Sequence, residues 1–440
     1  MRPSRPGRWW AIAVVIGGSL AAHGAAQPAA SSLPQYRAVL DNGLVLLFRP
    51  NPGALTLATC CFIKASARVE TRETAGLRQL AQTALLDITD AAGRTLEERV
   101  AAQGMLVSQQ LTADYMETLF QGLSDQLDPA LAFTREMFAE PTVAVRRLGL
   151  RQATALRAVS ARRELAETVA FDRAVEHLYR GTPCAWPPVG TAAVGGLGPR
   201  QVESFWRLRV VPNNAVLVVS GPVTWEVCRQ SVQAALGGIL PRQLPPEPSL
   251  SRPESERLTY IYEPWTRPAA VIVAAATCPG PESEGFPPAA VLNAVLAAGE
   301  GSRLFRALRD ARGWVYSVSQ ELVPSNLCGL TAVRASCEPG RAPEVFRAMQ
   351  AELDRLASEP PTDAEIERAK AYLSSSYLLG HQRNAEIAHF MGLFEVLAPR
   401  KPGVNLPQLL SGVSAAQVAQ AAGSLSSRTV WVQVGGERPG

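Results

Sequence analysis

The feature that most restricts the fold of this chain is that its second half repeats the order of its first. Thr56–Ile63 is a continuous apolar strand, and the helix after it aligns Leu77, Leu80, Ala81, Ala84, Leu85 and Ile88 in one stripe. Ala269–Cys278 and the helix Pro287–Leu296 stand in the same order further on. Ala215–Ser220 closes the first half ahead of Gly221-Pro222, and Thr429–Val434 closes the second ahead of Gly435-Gly436. Between them Leu236–Pro253, rich in proline with scattered charge, reads as an extended linker. A repeat period of roughly two hundred residues marks a duplicated domain, not a solenoid. The expected fold class is α+β. Residues 34–235 and 258–436 form two homologous domains, each a mostly antiparallel sheet with helices packed on one side. The linker 236–257 joins them as a clamshell.

Within the first half, Tyr36–Leu40, Asp41-Asn42-Gly43 and Leu44–Phe48 read as a hairpin with a primed turn. The pattern then predicts a helix over Arg94–Gln103, a strand over Leu106–Thr112 and a helix over Met116–Leu127. Further helices follow over Pro129–Ala139 and Arg146–Val175. In the second half, Thr362 and Glu365 form a capping box that opens the helix Ala364–Leu379, and Asn384–Leu397 supplies another.

The first 26 residues read as an export signal. Arg2, Arg5 and Arg8 precede an uncharged apolar run from Trp9 to Ala22, and Gly24, Ala25 and Ala26 offer a cleavage site before Gln27. The run is short and Gly/Ala-rich for a membrane anchor, the minor alternative. Removing the segment lowers the net charge from +4 to +1, which gives no reason to expect nucleic acid or an anionic membrane as partner. The hydrophobic share of 47% supports sizeable cores. Seven cysteines, an odd number without a C-x-x-C pair, indicate neither a zinc knuckle nor a thioredoxin-type site. Several lie in apolar runs, where a buried free thiol is the ordinary explanation, and one or two disulfides stay open in an oxidising compartment.

The stretch Gly301–Ser319, GSRLFRALRDARGWVYSVS, carries the chemistry of the second half. Leu304, Leu308 and Ala311 recur at helical spacing, Gly313 stops the helix, and Trp314–Val318 alternates as a strand does. Arg309 at the helix end and Tyr316 on the strand are thereby brought to one mouth, a guanidinium and a phenol fit to grip a peptide carbonyl or carboxylate. This stretch resembles the C-terminal signature of the pitrilysin/insulinase-type (inverzincin) zinc peptidases, which include the mitochondrial processing peptidase. The resemblance places the family's substrate-binding Arg/Tyr pair on Arg309 and Tyr316. Ala297–Gly301 also resembles the glycine-rich loop of the family's non-zinc subunits, or is simply a flexible turn.

In active members of that family the first-half helix carries His-x-x-Glu-His, whose histidines bind zinc while the glutamate activates water. Here GLRQLAQT puts Gln79 and Thr83 at the histidine positions and Gln82 at the glutamate position. The third ligand, a glutamate on a later helix, falls on Ala158. An amide replaces neither an imidazole as a tight zinc ligand nor a carboxylate as general base. Beyond residue 26 the histidines are His177, His381 and His389, none spaced i, i+4 from another. No catalytic residue, metal ligand or cofactor is therefore expected in this chain.

What the resemblance implies is the non-zinc subunit of an exported, periplasmic two-chain peptidase. It would supply Arg309 and Tyr316 to peptide substrate, while a homologous partner carries His-x-x-Glu-His and zinc. The alternative is a catalytically inactive scaffold or peptide-binding protein with no peptidase partner.

Overall fold

The computed structural model describes residues 35–438 other than 140–142, 251–258, 402 and 427. The expected signal segment 1–26 and residues 251–257 of the expected linker lie outside the described residues. Two compact units emerge. Ala30–Glu256 cluster with Tyr377–Leu409, and Arg257–Ser376 with Leu410–Gly440. The division is thus not a single cut at the linker, because residues 377–409 leave the second half and pack with the first.

In the first unit the strands are β1 (Tyr36–Val39), β2 (Val45–Pro50), β3 (Thr56–Ile63), β4 (Leu106–Leu111), β5 (Met116–Leu123) and β6 (Ala215–Gly221). They form one sheet in the order β1-β2-β6-β3-β5-β4, antiparallel except between β2 and β6. Its helices are α1 (Leu77–Ala84), α2 (Leu96–Ala102), α3 (Leu127–Met137), α4 (Val145–Arg162), α5 (Ala166–Leu178), α6 (Pro199–Arg209) and α7 (Trp225–Leu236). The hairpin turn between β1 and β2 needs its glycine twice over. Gly43 has φ +83°, and a Cβ there would lie 2.7 Å from that of Asn213.

The second unit holds β7 (Thr259–Glu263), β8 (Ala270–Thr277), β9 (Val315–Val323), β10 (Leu330–Cys337) and β11 (Val430–Val434), ordered β7-β11-β8-β10-β9. Again one pair is parallel, β7 with β11. Reading β2, β3, β4, β5, β6 against β7, β8, β9, β10, β11 gives the same spatial order and the same parallel pair, so the duplication holds strand for strand. Among the described residues, only β1 has no counterpart. The second half of the chain supplies the helices α8 (Phe286–Ala297), α9 (Arg303–Phe305) with a π-turn over Arg306–Asp310, α10 (Ala342–Ser358), α11 (Asp363–Gly380), α12 (Asn384–Leu397), α13 (Leu406–Ser411) and α14 (Ala415–Ser426), of which α12 belongs to the first unit. Among the described residues no helix is long and apolar enough to cross a membrane.

One expected helix is a strand. Met116–Leu127 shows apolar residues three and four apart, yet Met116–Leu123 is β5, hydrogen-bonded to β3 on one side and β4 on the other. The tight turn after β4, closed by Thr112 N donating to Tyr115 O at 3.0 Å, returns the chain alongside it. Position between two ladders overrides the local period.

The first sheet is covered on both faces, which is why β3 and β6 read as unbroken apolar runs. Leu57, Cys61, Ile63, Leu217 and Val219 join the core with α1, α3 and α7. Cys60 and Phe62 point the other way, opposite Val218 and Val216, toward α12. Gly392 of α12 lies flat on the Phe62 ring, with no room for a Cβ. Asn384 pins the helix start. Its amide donates to Thr56 O at 2.6 Å, and its Oδ1 accepts from Asn51 and Ser220 at 2.9 Å each.

Candidate functional site

Helix α1 carries the three positions matched to the zinc motif, and its start is firmly held. Buried Glu70 accepts from Gly76 N at 3.1 Å and Arg78 N at 2.9 Å, capping the helix through a distant carboxylate. Burial raises the Glu70 carboxyl above its ordinary range despite these bonds and nearby Arg78. Arg78, 1% exposed, donates to Ala113 O at 3.3 Å and to Thr112 O. The sequence does not signal either residue, because a capping acid seven residues before its helix leaves no periodic pattern.

Further along α1 the three side chains go different ways. Gln82, 1% exposed, donates from Nε2 to Gln110 O at 2.8 Å and Glu117 O at 2.6 Å, bracing α1 to the β4–β5 ladder. Its own carbonyl accepts from Gln109 Nε2 at 2.6 Å. Thr83 Oγ1 turns back onto Gln79 O and Leu80 O. Gln79 is half-buried. Ala158 lies half-buried on α4, which packs against α1, and offers no donor. A zinc ion does not fit these residues. The amide at 82 is committed inward, the hydroxyl at 83 is bonded to its own helix, and position 158 carries only a methyl group. Among the described residues no group of three His, Cys, Asp or Glu is placed to hold a metal.

The histidines have other partners. His389 Nδ1 lies 2.8 Å from Glu117 Oε2 on the α12 face of the sheet, and Cys60 Sγ donates to Glu117 Oε1 at 3.0 Å. His381 Nδ1 lies 2.6 Å from Tyr377 O, and its ring packs on Tyr377 and Phe390. His177 Nδ1 sits 3.1 Å from Arg180 Nη2.

In the second unit, the structure brings Arg309 and Tyr316 to one corner. Leu304 and Leu308 are fully buried and anchor the short helix. Below them the turn widens to i→i+5, with Ala311 N on Arg306 O at 3.0 Å. Gly313, at φ +61°, returns the chain, its N–H on Arg309 O at 2.9 Å. Arg309 is exposed. Its Nη1 donates to Val315 O at 3.3 Å and to Tyr316 O, and its guanidinium lies 5.9 Å from the Phe305 ring centre. The guanidinium therefore holds the tyrosine's backbone and not its phenol. Tyr316 is 60% exposed, and its hydroxyl meets Glu338 Oε1 at 3.3 Å.

Tyr316 is also the extra residue of a bulge. Ser317 pairs with Ser336 and Val315 with Cys337, so Tyr316 has no partner on β10. It stands near the start of β9, the edge strand of its sheet. An edge strand offers backbone groups to an extended peptide, and the phenol and guanidinium add side-chain donors at its end.

Residues 197–373 match the family model described as the peptidase M16 inactive domain. This chain is a homologue of the M16 metallopeptidases. The M16 homologue is 24% identical over 361 residues, 81% of each chain, to an uncharacterized zinc protease of Mycobacterium leprae. Among solved structures it superposes with a peptidase M16 inactive domain from Pseudomonas fluorescens at TM-score 0.82 and 17% identity, covering 92% of this chain and 99% of that one. A chain of complex III2 from Candida albicans gives 0.77 at 16% identity, covering 91% and 95%. These structural likenesses establish the fold: paired α/β units with mixed, mostly antiparallel sheets.

Proposed function

We propose that this M16 homologue is the non-zinc subunit of an exported, periplasmic two-chain peptidase, holding peptide through Arg309 and Tyr316 while a homologous partner supplies zinc. One observation carries the reading. The α1 face serves as a structural brace through Gln82, whereas Arg309 and Tyr316 lie exposed at the edge of their sheet. A brace of that kind has no use for zinc, so zinc chemistry falls to another chain and this one binds and orients peptide. The export signal of residues 1–26 supports the periplasm as its compartment. The likeness to a chain of complex III2, by its name an assembly, supports a partnered state.

In this arrangement the exposed guanidinium donates to a peptide carbonyl or carboxylate, and the phenol adds a donor or acceptor beside it. Neither group moves a proton from water, and no bond is broken by this chain's own residues. The test is reconstitution with a homologue that bears His-x-x-Glu-His. The mixture should cleave a peptide that neither chain cleaves alone. Arg309→Ala should then lower turnover about ten- to hundredfold without weakening assembly, because a charged hydrogen bond to substrate is lost. Tyr316→Phe should act in the same direction, and the double variant should lose less than the sum if both hold one group. Full activity of the double variant in an assembled complex would leave the scaffold alternative in its place.

A further inference from the structure

Three arginines of this chain each close the Nε–Nη2 edge of the guanidinium on both oxygens of one carboxylate. Arg151 does so on Asp87 at 2.9 and 2.9 Å, Arg303 on Glu365 at 2.7 and 2.9 Å, and Arg162 on Asp172. Arg368, on α11 in the second unit, presents the same edge to no carboxylate among the described residues. Its Nη1 donates to Ala298 O at 3.0 Å, but Nε and Nη2 are buried and have no hydrogen-bond partner among the described residues. Glu365, one turn away on α11, has both oxygens on Arg303, which holds its carboxyl down at about 2. Burial and the neighbouring Arg306 hold Arg368 below the ordinary arginine range, as expected of a cation lacking its anion.

The space over this edge is kept by glycines. A Cβ on Gly301 would lie 3.0 Å from Arg368 Cδ and 3.3 Å from its Nε, and one on Gly299 would lie 3.3 Å from the Tyr372 ring. The turn closes on itself, with Ser302 Oγ donating to Gly299 O at 2.8 Å. Among the described residues, no hydrogen bond ties Gly299, Glu300 or Gly301 to α11. Lifting the turn from Arg368 therefore breaks no hydrogen bond between Gly299–Gly301 and α11, and the uncovered fork matches a carboxylate in bidentate geometry.

We propose that the Nε–Nη2 edge of Arg368 is a receptor for a carboxylate of bound peptide, uncovered when the Gly299–Gly301 turn lifts. It rests on the peptide-holding reading above and adds a specificity to it, a preference for acidic peptide. The probe is a fluorescein-labelled octapeptide of alternating Ala and Glu with a free C-terminus, against its Gln-substituted, C-terminally amidated counterpart. Anisotropy with the full chain at low salt should show the acidic peptide binding about tenfold tighter. Arg368→Gln should abolish that preference. Arg368→Lys, which keeps the charge without the fork, should lose most of it. Gly301→Ala, which places a methyl group beside Nε, should weaken it and serves if the arginine variants do not fold. Equal binding of both peptides, or a preference that survives Arg368→Gln, overturns the proposal. If neither peptide binds, the peptide-holding reading fails on its own account, and sodium acetate then tests the fork directly. A shift of the Arg368 Nε–H resonance in arginine-labelled protein, absent with chloride, supports the receptor, and no shift overturns it.

Discussion

Gln82 places its amide between two backbone carbonyls, those of Gln110 and Glu117, and is sealed there from water. Glutamate at this position would set a carboxylate oxygen against the two carbonyls that now accept from the amide. We expect Gln82→Glu to destabilise the fold by about 3 kcal/mol or more at neutral pH, the usual cost of an uncompensated buried charge. The carboxyl would be pushed above its ordinary range, so the penalty should grow as pH rises through that range and shrink when the group is protonated. Urea unfolding at pH 4.5 and 7.5 checks both size and sign, and a variant as stable as the parent at pH 7.5 would refute the bracing role. The sequence made the missing zinc motif legible at Gln79, Gln82, Thr83 and Ala158. It could not reveal that the amide at 82 had found new partners, because Gln110 and Glu117 contribute only carbonyls, which every residue has. The free edge of Arg368 was hidden for the opposite reason. An arginine in a helix predicts a partner, and only geometry exposes its absence.

At the scale of elements, helix periodicity gave the extent of α12 as Asn384–Leu397 to the residue, but not the sheet that α12 covers. That choice rests on contacts over long sequence separation: Asn384 to Thr56, Arg37 to Glu395 at 2.9 Å, and His389 to Glu117. The helical spacing in β5 misleads for the same reason, since its ladder partners decide its conformation. Glu117 draws His389 upward in pKa against the desolvation of the buried imidazole, so His389 contributes stability below the ordinary histidine range that fades as pH rises through its raised value. His381, pushed down to about 4 by burial, works the other way. Its contribution is complete above about 6.5 and is lost as pH falls toward 4. His381→Phe should therefore flatten the loss of stability between pH 6.5 and 4, measured by urea unfolding. An unchanged slope would show that another group controls it. Gly392→Ala should cost about 1–3 kcal/mol by forcing α12 off Phe62, a typical penalty for overpacking.

The two halves of the sequence are therefore not the two units of the molecule. A chain of residues 27–250 contains every strand of the first sheet but lacks α12, leaving Cys60, Phe62, Val216 and Val218 uncovered and Glu117 without His389. On α12, Ile387, Leu393, Phe394 and Leu397 are buried, each contributing about 1.5–3 kcal/mol. Together they match the whole net stability of about 5–15 kcal/mol that a domain usually has. Produced alone, residues 27–250 should aggregate or bind a hydrophobic dye such as ANS. Fusing residues 377–409 to them through a flexible linker should restore a soluble, cooperatively unfolding unit, because it returns the missing cover. The same packing governs proteolysis. The linker residues 237–250 lack regular structure, yet Glu247 accepts from Ser66 Oγ at 2.7 Å and Asn213 donates to Arg242 O at 2.8 Å, so the described part is strapped to the first unit. A protease that cuts between the halves should yield two fragments that stay together on native size exclusion, held by α12, and part only in denaturant. Two separate, folded, monomeric halves under native conditions would mean that the first sheet does not need the helix lent to it by the second half of the chain.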